Sequence, residues 1–208
     1  MANPIRNVPG KAWGSLAALI AAVVVGVVNI EGGYVNDPND SGGETNHGVT
    51  VAVARDYGYD GPMKSMPVGI AKEIYIQRYI VEPKFDKVLL LSPAVGTKLV
   101  DMGVNTGPGR ATRTFQQTLN DLSRGGRDYP PVEIDGAMGN RTLTAYSALE
   151  KHRGRVKACE LTLKLIDGYQ TTYYATLAKN PANASFIVGW LDHRIGNVDV
   201  ERCSEVVQ

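Results

Sequence analysis

Between Ala12 and Ile30 the chain runs nineteen residues without a charge, then stops on a carboxylate, Glu31, followed at once by Gly32 and Gly33. A run of this kind has to be kept dry, in a protein core or in a bilayer, and as a helix it spans ~28 Å, about the depth of a bilayer core. Arg6 and Lys11 precede it, and Asp37, Asp40 and Glu44 follow it. That bias places the N-terminus in the cytoplasm and the remainder outside. The run is only weakly apolar. Its large aliphatics are Leu16, Leu19, Ile20, Val23, Val24, Val25, Val27, Val28 and Ile30, and the rest is mostly Ala and Gly with Ser15 and Asn29. Each large aliphatic contributes about −0.3 to −0.6 kcal/mol to insertion, and the polar residues take part of that back, so net insertion is marginal. Three readings compete. One is a cleaved signal peptide, although Val28 and Ile30 spoil a small-x-small site before Glu31 and the Ala-rich sites lie earlier. The second is a buried core helix. The third is an uncleaved signal anchor weak enough to leave the bilayer, and it accommodates the charged flanks, the Ala/Gly content and the abutting Glu31 together.

If Leu16 to Ile30 is helical, Gly32 and Gly33 are natural C-terminal caps, because glycine takes positive φ without strain. Glu31 then sits at the negative end of the helix dipole, which disfavours its ionised form, and burial against the apolar residues before it pushes the same way. A carboxyl that keeps its proton near neutral pH can protonate a leaving oxygen. The plainer alternative is that Glu31 marks the water side of an apolar segment. The loop that follows, GGYVNDPNDSGGETNHGVT, is acidic and Gly-rich, has the turn density for a small hairpin, and ends at Thr50, a good N-cap for the segment starting at Val51.

The remainder reads as helical. Helices are expected at Val51–Tyr57, closed by Gly58, and from a Ser65 cap with Pro67 in the first turn to about Ile80, before Pro83. Others follow at Ala94–Val104, Arg110–Leu122, from Asn140 or Gly139 to His152, at Arg155–Leu177 and at Ala184–Arg194. The Gly- and Pro-rich stretch from Arg124 to Pro131 divides the chain into a first unit and a helical subdomain. With 208 residues and a net charge of +1, no overall field draws the chain to nucleic acid, though Arg110, Arg113, Arg124, Arg127, Arg141, Arg153 and Arg155 thicken its middle. Glu44 and His47 have E-x-x-H spacing, but on a loop, and three histidines with two cysteines are too few donors for a metal site. No G-x-S-x-G elbow is present, and TGPGRAT at 106–112 is a helix-breaking turn before it is a phosphate loop. Cys159 and Cys203 are either bridged or free buried thiols.

The stretch EGGYVNDPNDSGGETNHGVT, residues 31–50, resembles the start of the glycoside hydrolase 108 muramidases, with Glu-Gly-Gly-Tyr, Asn-Asp-Pro and Asp-x-Gly-Gly-x-Thr in register. DMGVNTGPGRATRTFQQTLN, residues 101–120, is similar to the closing helices of that catalytic domain. PPVEIDGAMGNRTLTA, residues 130–145, is similar to the helical peptidoglycan-binding module that follows it. The apolar N-terminus resembles that of phage endolysins of the signal-arrest-release type. The resemblance implies a mainly α, lysozyme-like α+β fold with a small β-hairpin and a helical C-terminal subdomain. It divides the chain into a signal anchor (1–30), a catalytic domain (28–123) and a peptidoglycan-binding subdomain (124–208).

The activity implied is hydrolysis of the β-1,4 bond between N-acetylmuramic acid and N-acetylglucosamine, to lyse a bacterial host. Glu31 would be the general acid. Asp40 would orient water or stabilise positive charge, and Thr45 would hold the water. Asp37 rivals Asp40 for the second carboxylate, and Tyr34, Asp37 and Asn46 are candidates to contact sugar, with packing or turn-making as the alternative for Tyr34 and Asn46. No cofactor or metal is implied. The partners expected are glycan strands and, through residues 12–30, the inner membrane before release into the periplasm. No nucleic acid is expected, and the chain would act as a monomer. A lytic transglycosylase and a non-catalytic wall-binding protein are the rival functions.

Overall fold

The computed structural model describes residues 10–27, 33–36 and 43–207. Its elements in chain order are α1 (Gly10–Val27), β1 (Thr45–Asn46), β2 (Val49–Thr50), α2 (Val51–Tyr57), α3 (Val68–Ile76), α4 (Phe85–Leu91), α5 (Pro93–Thr106), α6 (Pro108–Leu122), α7 (Asn140–Arg153), α8 (Arg155–Leu177) and α9 (Ile187–Arg194). The fold is mainly α with one small antiparallel hairpin, the class that the sequence led us to expect.

Helix α5 is the hub. Ser92 caps it by accepting from the Val95 N–H, Pro93 opens its first turn, and every residue from Pro93 to Gly103 is buried. Gly96 makes the tight crossing with α4 possible, since a Cβ there would lie 2.6 Å from the Leu89 backbone nitrogen. Around α5 one continuous apolar core gathers residues from α1, α4, α6, α7 and α8. Helix α1 contributes Leu16, Ile20, Val23 and Val24, all buried, at the i, i+4, i+7, i+8 spacing of a single helix face. Ala17, Ala18, Ala21, Ala22 and Val25 lie on its exposed side. The apolar run is thus a core helix here. Among the described residues no helix is long and apolar enough to cross a membrane.

The core also buries charge. Lys98 on α5 is 1% exposed, and its ammonium reaches Asp167 on α8 together with the Arg194 carbonyl and the Asn197 side chain. One turn along, Asp101 accepts from Arg194 at 2.7 Å. Cys159 on α8 is bonded to Cys203 in the short helical turn Val200–Ser204, which resolves the two cysteine readings in favour of the bridge and pins the C-terminal segment to α8.

Three expected boundaries move. Ser65 does not cap α3: its hydroxyl donates to the Pro62 carbonyl within the turn Met63–Ser65, and Pro67 takes the cap position. The last turn before Pro83 widens into π-type pairing at Gln77–Val81. Helix α4 was not expected, because Lys84 enters it in the left-handed region (φ 61°) with no side-chain cap to announce it. Near the C-terminus, the segment expected as helix from Ala184 begins as the 3-10 turn Pro181–Phe186 before α9.

Candidate active site

The hairpin is built on a two-residue turn, His47-Gly48, with positive φ at both positions (51° and 72°), the backbone that lets two antiparallel strands close tightly. β1 pairs β2 in the register Thr45 to Thr50 and Asn46 to Val49, and Val35 adds a bridge to Thr45 on the other side. The Thr45 strand thus has a neighbour on each side, and the Thr45 backbone bonds to Val35: its N–H donates to the Val35 carbonyl and its carbonyl accepts from the Val35 N–H, both at 2.8 Å. As the sequence suggested, Thr50 caps α2 by accepting from Val53, and Gly58 closes that helix in the left-handed region.

The hairpin rests on its own small core of Val49, Ala54, Met63, Met66, Ala71 and Ile74. Side chains from its tip are tied to this base. The Asn46 amide is buried and donates to the Met63 carbonyl at 2.7 Å. His47 Nε2 lies 3.2 Å from the Met66 carbonyl. The Tyr75 hydroxyl donates to the Gly48 carbonyl at 3.2 Å, and the Tyr75 ring lies 5.4 Å from that of Tyr79. These contacts hold a two-residue sheet that would be marginal alone.

Of the candidate site residues, Tyr34, Thr45 and Asn46 are described, and the structure brings them together on this hairpin and its bridged neighbour. Glu31, Asp37 and Asp40 lie outside the described residues. Tyr34 packs half-buried against the small core. Its hydroxyl is shifted to a higher pKa, by loss of hydration first and then by a hydrogen bond to the Glu44 carboxylate. Thr45 presents its hydroxyl 3.5 Å from the Gly43 carbonyl, a long contact that leaves it available to another partner. Asn46 uses its amide to anchor the loop, the turn-making role weighed for it above. In the sequence Glu44 is one of the loop's acids and half of an E-x-x-H pair, with nothing to mark it as a site residue. Its position beside Tyr34 follows from the Val35–Thr45 bridge, a long-range pairing with no local signal. Among the described residues no group of three or more His, Cys, Asp or Glu gathers in metal-binding geometry.

A cleft of about 560 Å³ opens between the α2–α4 side, with Asp56, Arg78, Glu82 and Lys84, and the α6 side, with Thr112 and Met138.

The family model for glycosyl hydrolase 108 matches residues 24–107, a span that contains the hairpin, its base and α5. Residues 24–107 are a glycosyl hydrolase 108 domain. A second model, described as a predicted peptidoglycan domain, matches residues 110–195, so the two meet at the Gly107 turn between α5 and α6. The pairing makes the chain a glycoside hydrolase that acts on peptidoglycan. In fold it is similar to the solved structure of Brucella abortus SagA, with a TM-score of 0.60 at 24% identity over 90% of this chain and 94% of that one. No curated protein matches the sequence.

Proposed function

We propose that this glycosyl hydrolase 108 protein is an N-acetylmuramidase that cuts the β-1,4 bond between N-acetylmuramic acid and N-acetylglucosamine, with Glu31 as general acid. The observation that carries the reading is the mounting of Thr45. It stands on a strand braced on both sides, inside the matched domain and in the same Glu31-to-Thr45 motif. The Glu31 carboxyl gives its proton to the glycosidic oxygen as the bond to C1 breaks. Water adds to C1, its proton leaving to a base, and Asp40 steadies that water or the developing positive charge while Thr45 holds it. Tyr34 and Asp37 border the sugar, while Asn46 holds the hairpin to its base. Glu31→Gln should lower the release of reducing ends from purified sacculi by at least ~100-fold. Wild-type rates from that variant, or anhydro ends in the wild-type products, would refute the assignment.

The biological role proposed is host lysis by a phage endolysin, held in the inner membrane by residues 12–30 with its C-terminus outside and released as a monomer into the periplasm. While the segment lies in the bilayer it cannot supply the core face of α1, and the catalytic domain stays incomplete. Leucine at Ala17, Ala18, Ala21 and Ala22 tests this cleanly, because all four are exposed in the folded protein and their enlargement leaves the core intact. The variant should stay in the membrane fraction and delay lysis, yet retain activity once extracted in detergent. Unchanged release and timing would refute the mechanism.

A further inference from the structure

Three of the seven arginines that thicken the middle of the sequence have acidic partners. Arg124 and Arg153 both pair with Asp128, at 2.6 and 2.7 Å. Arg155 lies 3.7 Å from Glu150 and donates to the Leu91 carbonyl. Among the described residues the other four, Arg110, Arg113, Arg127 and Arg141, form no ion pair, and of these Arg110 and Arg113 stand together on successive turns of α6. Both line a groove of about 300 Å³ whose other walls are Thr114, Gln117, Ile134 and Tyr169. Asp121, bonded to two of the groove residues, is already engaged, accepting from Gln117 at 2.8 Å and from the Tyr169 hydroxyl. Asp135, on the Arg113 side, accepts from Gln116 and from the Ala137 N–H.

The two cations are also held in place. Arg110 lies over the ring of Tyr173, its guanidinium carbon 4.2 Å from the centroid. Arg113 donates to the Asp135 carbonyl at 3.3 Å, which fixes its stem and leaves further donors on the guanidinium. From the half-buried Tyr173 a run of aromatic rings passes through the buried Tyr174 at 5.8 Å to the half-buried Trp190, stacked on Tyr174 at 5.2 Å, and on to Phe186, stacked on Trp190 at 5.8 Å. Phe186 is 54% exposed, so the run ends on an open aromatic face. Every residue of groove and run lies within 110–195, the span matched by the peptidoglycan domain.

We infer that the Arg110–Arg113 groove is a carboxylate site for the stem peptide of peptidoglycan, with Trp190 and the exposed Phe186 at the end of the aromatic run as a platform for the attached sugars. The inference deepens the wall-hydrolase reading and rests on it. The N-acetylated sugars of the wall are neutral, and its ionised carboxylates sit on the peptide stems. Two fixed guanidiniums without an ion-pair partner therefore select the peptide, because a planar fork matches a carboxylate. Exposed apolar rings suit the flat C–H faces of pyranoses.

The test measures co-sedimentation of full-length protein, made cleavage-deficient by Glu31→Gln, with intact sacculi and with the same sacculi whose stem carboxylates have been converted to neutral amides with a carbodiimide and ammonia. The parent should bind intact sacculi about tenfold more tightly, two exposed charge-assisted contacts acting together, and added salt should shrink that margin. Arg110→Gln/Arg113→Gln should abolish the preference, and Arg110→Lys/Arg113→Lys should keep part of it. A double Gln variant that still prefers intact sacculi overturns the inference, as does one that loses affinity for both materials equally. A second measurement needs no substitution. A synthetic acidic stem tripeptide should shift the amide signals of residues 110–117 of the protein, and its fully amidated counterpart should not. Equal shifts from both overturn the inference. Protein with Glu31 intact that cleaves both materials, while the parent shows no preference between them, refutes the groove alone. Failure to bind or cleave either one takes the wall-hydrolase reading down with it.

Discussion

Lys98→Met removes one of two buried charges on α5, the other being Asp101, that join the hydrolase domain to the peptidoglycan domain. The Lys98 ammonium has three donors and three acceptors at hand: Asp167 Oδ1 at 2.5 Å, the Arg194 carbonyl at 2.6 Å and Asn197 Oδ1 at 2.9 Å. The contact with Asp167 is a close charge contact rather than a well-angled hydrogen bond, since that oxygen meets no hydrogen-bond geometry. Methionine fits the same space and supplies no donor. Asp167 would be left with the Gly196 N–H at 3.2 Å. Breaking a buried pair by removing one partner costs about 3–5 kcal/mol. The Asp167 side chain is 20% exposed and can recover some water, so the lower end, ~3 kcal/mol, is expected. For a chain of this length, each kcal/mol lowers Tm by about 2–4 °C, so the midpoint should fall by roughly 6–12 °C. Urea unfolding at pH 7 gives the free energy and calorimetry the midpoint. Replacing both partners, Lys98→Met/Asp167→Leu, should recover part of the loss, because no uncompensated carboxylate remains. A loss below about 1 kcal/mol, or a double variant as costly as the sum of the singles, would refute the reasoning. Two separate melting transitions in the wild type would refute the coupling of the domains.

The Asp128 carboxyl is held below the usual carboxylate range, chiefly by its hydrogen bond from Arg124, with the Arg153 charge adding to it. A carboxyl depressed in the folded state stabilises it above the unfolded pKa of ~3.9, and that stability is lost as pH falls through the folded value. Asp128→Asn should therefore flatten the acid limb of a stability-versus-pH curve below about pH 4, and an unchanged limb would count against the pairing. At the hairpin tip, Gly48→Ala puts a Cβ 2.5 Å from the Tyr75 hydroxyl at a residue with φ +72°. Tyr75 can yield only by losing its bond to the Gly48 carbonyl. The turn and Thr45 should shift, lowering kcat/KM on sacculi by about tenfold or more, with partial recovery in Gly48→Ala/Tyr75→Phe. Wild-type kinetics from Gly48→Ala would show that the tip does not position the site.

What could be read from the sequence was local. Thr50, Gly58 and Ser92-Pro93 are stops and starts whose chemistry works within a turn or two, and the structure uses each of them. The hairpin was legible as turn density, and its residues 45–50 form one. Pairings across long sequence separations were not legible: Val35 with Thr45, Tyr34 with Glu44, Lys98 with Asp167, Arg110 with Tyr173. Lys98 is the clearest case. A lysine in an apolar helix reads as the solvated side, yet it is 1% exposed, because its acceptors arrive from elements nearly seventy and a hundred residues later. Likewise the arginine-rich middle read as one patch. Only the fold separates the arginines engaged with Asp128 and Glu150 from the pair left facing a groove.

Helix α1 shows where folded-state physics stops explaining a sequence. The core requires Leu16, Ile20, Val23 and Val24 and nothing from the opposite face. Ala17, Ala18, Ala21, Ala22 and Val25 are exposed, Val25 at 60%, and a lysine or glutamate at any of them would meet only water. A helix that never left this position would ordinarily carry charge there. The proposed stay in a bilayer supplies the missing constraint, since a central lysine would add about 2.5–3.5 kcal/mol to insertion while costing the folded protein almost nothing. The two demands act on different faces of one helix. The core face fixes shape in the folded enzyme, and under the proposal the small uncharged outer face would keep the helix acceptable to lipid. Small residues there would also keep insertion weak, as the proposed exit from the membrane requires.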